Sequence, residues 1–129
     1  MSYREEFIKK VKIIFETETK AYKRREKAYE FITEYFGDLL DELDDETEAS
    51  EEQLDIEYER IRFKDRELQV EFGKGTISIC MNDINSGEKK TIDLLEDNGH
   101  TYISKKHNSP LGEEILDQYL KEAFAETLG

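Results

Sequence analysis

Counted by alternate threes and fours from Ile8, positions 8, 11, 15, 18, 22, 25, 29, 32, 36, 39 and 43 are aliphatic or aromatic at every step except Glu18 and Arg25. Only a helix puts such a series on one face, and five repeats of this regularity predict a long amphipathic helix with a coiled-coil-like seam. Ser2 and Glu5, in capping-box register, mark its start. Gly37 weakens the pattern where the acids begin. Asp38, Asp41, Asp44 and Asp45 then repel one another at helical spacing and sit at the unfavourable end of the helix dipole, so the helix is expected to end between residues 36 and 44.

Beyond the helix the period changes. "RIRF", "LQVEF", "TISICMN", "KTIDLL" and "HTYISK" alternate or run apolar over strand-like lengths and are separated by "KDRE", "GKG", "DINSGE" and "EDNG". They predict an antiparallel meander of four or five strands. Residues 51–59 stay open: Ser50 and Gln53 could cap a short helix over "EEQLDIEY", while Leu54, Ile56 and Tyr58 alternate as a strand would. Ser109 as N-cap and Pro110 at the first helical position predict a final helix, with Ile115, Leu116, Tyr119, Leu120, Ala123 and Phe124 as its apolar stripe. The expected fold is therefore α+β, with a long N-terminal amphipathic helix, a four- to five-stranded antiparallel meander and a C-terminal helix packed on the sheet. The 129 residues suit one domain, divided into a helical region 1–43, an acidic loop 44–53, a sheet 54–105 and a helix 109–128.

The net charge of −13 is local in origin. Residues 38–59 hold 12 of the 32 acids and no base, leaving 20 acids against 19 bases elsewhere. Phosphate contacts need lysine and arginine, so neither direct nucleic-acid binding nor adsorption to an anionic membrane is expected. No apolar run exceeds three residues, and residues 1–30 lack a signal-peptide core, which predicts a cytoplasmic chain. Cys80 has no partner cysteine and, within "TISICM", is expected to be a buried, inert thiol.

No residue pattern calls for catalysis, a cofactor or a metal. No frame starting from Asp38, Asp41, Asp44 or Asp45 meets the EF-hand requirement for a glycine at six and a glutamate at twelve. His100 and His107 lie in polar loop contexts without a second ligand at metal spacing, and both are read as surface residues. "GKGT" is read as a hairpin turn rather than a phosphate loop, because a strand follows it. The cluster Lys20, Lys23, Arg24 and Lys27 is read as a solvated basic face.

The start "REEFIKKVKIIF" and the end "EEILDQYLKEAF" resemble those of small proteins without assigned activity from low-GC Gram-positive bacteria and their phages. That resemblance implies a bacterial or phage cytoplasmic protein and carries over no functional residue. In architecture alone, the expected helix, meander and helix are also similar to type III secretion chaperones, although the charge of the long helix departs from them.

What remains is interaction. Asp41, Glu42, Asp44, Asp45, Glu46, Glu48, Glu51 and Glu52 are the candidate contact residues of a non-enzymatic module that binds or masks a protein with a basic surface. The alternative is a phage or mobile-element inhibitor that mimics nucleic acid. If the tract were wholly helical, its charges would lie roughly 2.8 Å apart, near the roughly 3.4 Å spacing along a DNA strand. Phe15, Glu18, Tyr22, Arg25 and Tyr29 are the candidate seam of a homodimer. Centring an antiparallel pair near Tyr22 would set Glu18 of one copy beside Arg25 of the other. The competing arrangement packs the seam against the chain's own sheet.

Overall fold

A computed structural model describes residues 2–44 and 54–128 of the chain. Helix α1 (Tyr3–Asp44) runs 42 residues, about 63 Å at 1.5 Å per residue. The Ser2 hydroxyl accepts a hydrogen bond from the Glu5 amide at 3.3 Å and so caps its first turn. At the other end α1 carries through Gly37 and stops at Asp44, with no basic residue in the last turn to oppose its dipole.

The sheet has seven strands rather than the four or five expected: β1 (Leu54–Ile56), β2 (Arg60–Phe63), β3 (Arg66–Phe72), β4 (Thr76–Asp83), β5 (Lys89–Asp97), β6 (Tyr102–Ser104) and β7 (Ser109–Pro110). All pair antiparallel with their neighbours in chain order. The five sequence-derived segments correspond to β2 through β6. The two additions are short and lie at the sheet's edges, where periodicity has too few residues to register. At the first, the strand reading of Leu54 and Ile56 prevails; the proposed cap at Ser50 and Gln53 falls outside the described residues.

At the second edge the expected helix start is corrected. Ser109 and Pro110 pair with Ser104 and Ile103 as β7, the Leu111 amide donates to the Tyr102 carbonyl at 2.9 Å, and α2 begins only at Glu113. An edge strand leaves one side of the backbone unpaired, so the missing proline N–H costs nothing there and sheet pairing outcompetes the cap. The α2 stripe is as expected: Ile115, Leu116, Tyr119, Ala123 and Phe124 are buried, with Leu120 partly so. Between β3 and β4, "GKG" forms the anticipated turn, with Gly75 at φ 76°, a conformation that side chains with a Cβ resist.

Pairing register assigns the faces. Ile56, Ile61, Leu68, Val70, Ile77, Ile79 and Leu95 lie on one side and are buried. Both helices cover that side: Tyr29 of α1 meets Phe72 edge-on at 5.0 Å between ring centroids, and Tyr119 of α2 hydrogen-bonds Asp93. The other side is largely polar, with Arg60 paired to Asp55 at 3.0 Å and Asn82 donating to Glu67 at 2.7 Å. Cys80 lies on it, buried between strands. A sheet wet on one face and packed on the other is the usual antiparallel arrangement.

Candidate functional site

Three places concentrate side chains that could act. The first is at the C-terminal end of α1. Leu39 and Leu43, continuing the helix stripe, meet Leu54 of β1 and Ile61 and Phe63 of β2, while Leu120, Phe124 and Leu128 of α2 close the far wall. Between them lies a groove of about 660 Å³, lined almost wholly by carbon. Leu43, Leu54 and Phe63 are only partly buried, and Leu128 is 72% exposed. The groove contains no convergent polar groups, so it can hold apolar side chains but offers no chemistry of its own. Asp41 and Glu42 stand exposed on the helix beside it. Two of its lining residues, Leu43 and Leu54, flank the acidic residues 44–53 in sequence.

The second place is buried. A bulge leaves Ile92 unpaired between the Ile79–Asp93 and Cys80–Thr91 pairs, and Asp93 faces the helices with 5% exposure. Its Oδ1 accepts the amides of Leu94 at 2.7 Å and Lys106 at 2.9 Å; its Oδ2 accepts the hydroxyls of Ser104 and Tyr119. Burial alone would raise its pKa. These four donors outweigh burial and hold the carboxyl below its usual range. Burial and the same carboxylate push the Tyr119 hydroxyl up, keeping it a donor. All four acceptor positions of Asp93 are filled, which leaves none for a substrate or a metal. The group is a pin joining β5, β6 and α2.

The third lies midway along α1, where the sheet ends. Arg24 donates to both Asp97 oxygens, at 2.7 and 2.9 Å, and this pairing holds Asp97 below the usual carboxylate range. Arg24 thus leaves the basic cluster read from the sequence. Lys20 is in an exposed pair with Glu16 at 3.4 Å, and Lys23 and Lys27 are exposed.

The structure separates the sequence-derived candidates. Asp41 and Glu42 are exposed helix residues, and Asp44 is the last residue of α1. Asp45, Glu46, Glu48, Glu51 and Glu52, with the expected acidic loop, lie outside the described residues. Of the seam, Phe15, Glu18 and Tyr22 are exposed; Arg25 sits over the Tyr22 ring of its own chain at 5.6 Å, and Tyr29 packs on Phe72. His100 is exposed as expected, whereas His107 is half-buried, with its ring 6.2 Å from that of Tyr119. Among the described residues no three His, Cys, Asp or Glu side chains group as metal ligands, and no helix is long and apolar enough to cross a membrane.

The groove and the Asp93 pin were not anticipated. The groove joins residues far apart in the chain, which no local pattern displays. Asp93 did leave a signal: in "TIDLL" it is an acid at the alternate position to inward Leu95, a register that in a half-buried strand demands a partner.

No family model matches the chain, and neither a curated protein nor a solved structure matches it significantly. What the site implies therefore rests on this chain's own chemistry.

Proposed function

We propose that this α+β chain is a non-enzymatic, cytoplasmic interaction module that takes an amphipathic, basic segment of a partner protein into the groove between α1, β1, β2 and α2. The observation that carries this reading is the coincidence of an open apolar groove with the acidic end of α1. From residue 28 to residue 59 the sequence contains 14 acids and no base. Apolar side chains of the partner would supply most of the affinity by leaving water, while Asp41, Glu42 and the acids of residues 44–52 would select the charge of the segment and speed its approach.

The test is fluorescence anisotropy with two synthetic amphipathic helical peptides of equal apolar content, one bearing lysines and the other glutamates. The basic peptide is expected to bind and to weaken about tenfold between low and moderate salt. Phe63→Asp, which places a charge in the groove, should abolish binding. Equal affinity for both peptides would rule out charge selection. Unchanged binding after Asp45, Glu46, Glu48, Glu51 and Glu52 are replaced by their amides would remove the acidic stretch from the function.

A further inference from the structure

The first five turns of α1 lie beyond the sheet. Every residue from Ser2 to Lys20 is exposed except Val11, which is half-buried among its own neighbours. Phe7, Ile8, Ile14 and Phe15 surround Val11 at helical spacing, with 55%, 41%, 56% and 64% of their surface in water. Their face continues the stripe that, farther along, buries Ala28, Ile32 and Phe36 against the sheet. A lone helix of this length is marginal in water, and among the described residues nothing covers this side.

We propose that a second copy of the chain covers it, arm against arm and antiparallel, about a two-fold axis at Val11. The pattern is self-complementary on reversal about that residue. Val11 meets Val11, Phe7 meets Phe15, Ile8 meets Ile14, and Arg4 of each copy meets Glu18 of the other. A pair centred on Tyr22 would instead require Arg25 and Tyr29, which are engaged with Tyr22 and Phe72 of their own chain. Glu6 and Glu16 are held within each helix, by Lys10 at 3.0 Å and by Lys20 at 3.4 Å. A C2 contact uses one patch twice, so each mismatch counts twice. The arm is remote from the groove, which makes this interface independent of the proposed partner site.

Sedimentation equilibrium and directed cross-linking test the pairing on the full chain. The wild type is expected to pass from monomer to dimer in the micromolar range. Arg4→Glu should weaken the dimer about tenfold, since two symmetry-related pairs reverse, and adding Glu18→Arg should restore it to within about threefold. Under mild copper–phenanthroline oxidation Val11→Cys should cross-link with itself. Phe7→Cys should cross-link with Phe15→Cys in a mixture and poorly alone. A wild type that stays monomeric at high micromolar concentration overturns the proposal, as does preferential self-cross-linking of Tyr22→Cys over Val11→Cys. Far-ultraviolet circular dichroism and the urea midpoint, read at a concentration where the wild type is monomeric, verify that each variant retains its fold.

Discussion

The two halves of α1 have nearly the same apolar periodicity and opposite surroundings. From Ala28 to Leu43 the stripe is covered by the sheet and α2, with Ile32 and Phe36 almost wholly removed from water. From Tyr3 to Lys20 the same stripe faces solvent. Periodicity thus determines that a segment is helical and which side wants cover, but not what covers it. The boundary falls at Arg24, where the ion pair with Asp97 at the sheet's end is the last polar tie between helix and strands on the way to the arm.

The sharpest way to break this comparison is to truncate one aromatic on each side of the boundary. Phe36→Ala should cost about 3–5 kcal/mol in urea unfolding, because it empties a close-packed site. Phe15→Ala should change the unfolding free energy of the monomer by less than about 0.5 kcal/mol. Comparable losses would mean that the arm is covered within its own chain.

Asp93→Ala comes next, at about 3 kcal/mol, since it strands the Ser104 and Tyr119 hydroxyls in the core. The pin is also sensitive to pH. Asp93 and Asp97 both have lowered pKa values in the folded chain, so their stabilisation is fully present above the unfolded carboxyl value near about 3.9 and is lost as the pH falls through their folded values. Thermal midpoints recorded from neutral pH downward should therefore fall steeply below about pH 4 in the wild type and less steeply in Asp93→Asn. Equal slopes would remove Asp93 from acid unfolding.

Gly37→Ala should stabilise the packed half by about 0.5–1 kcal/mol, for a Cβ there meets nothing within 4 Å and glycine is a poor helix former. The smallest effect is at the far end. Ser2→Ala should leave the urea midpoint unchanged while speeding amide exchange in the first turn of the arm, whose cap it removes. A shift in the midpoint would show the arm to be coupled to the core.

Much of this architecture is legible in the sequence because it is local. The stripe through Ile32 and Phe36, the strands around "LQVEF" and "TISICMN", and the apolar face of α2 all follow from spacing alone. The start of α2 was misplaced because Ser109 and Pro110 satisfy two rules at once, a helix cap and an edge strand. Pairing with Ser104 and Ile103, invisible to a local pattern, decides between them. The groove draws on α1, β1, β2 and α2 together, so its residues read singly as ordinary core positions. The acidic residues were legible as charge; their relation to an apolar groove was not.

The order of the sheet has a consequence for how the chain is made. Each strand pairs with the one just before it, so the meander can zip progressively, each closure spanning a short loop. Helix α1 leaves the ribosome before any of these strands, yet the strand faces that bury Ala28, Ile32 and Phe36 extend to Leu95 and Tyr102. At about 5–20 residues per second, translation leaves that stripe waiting for several seconds. The next stretch to appear is the acidic one, residues 38–59, whose mutual repulsion discourages neighbouring nascent chains from meeting through the uncovered stripe.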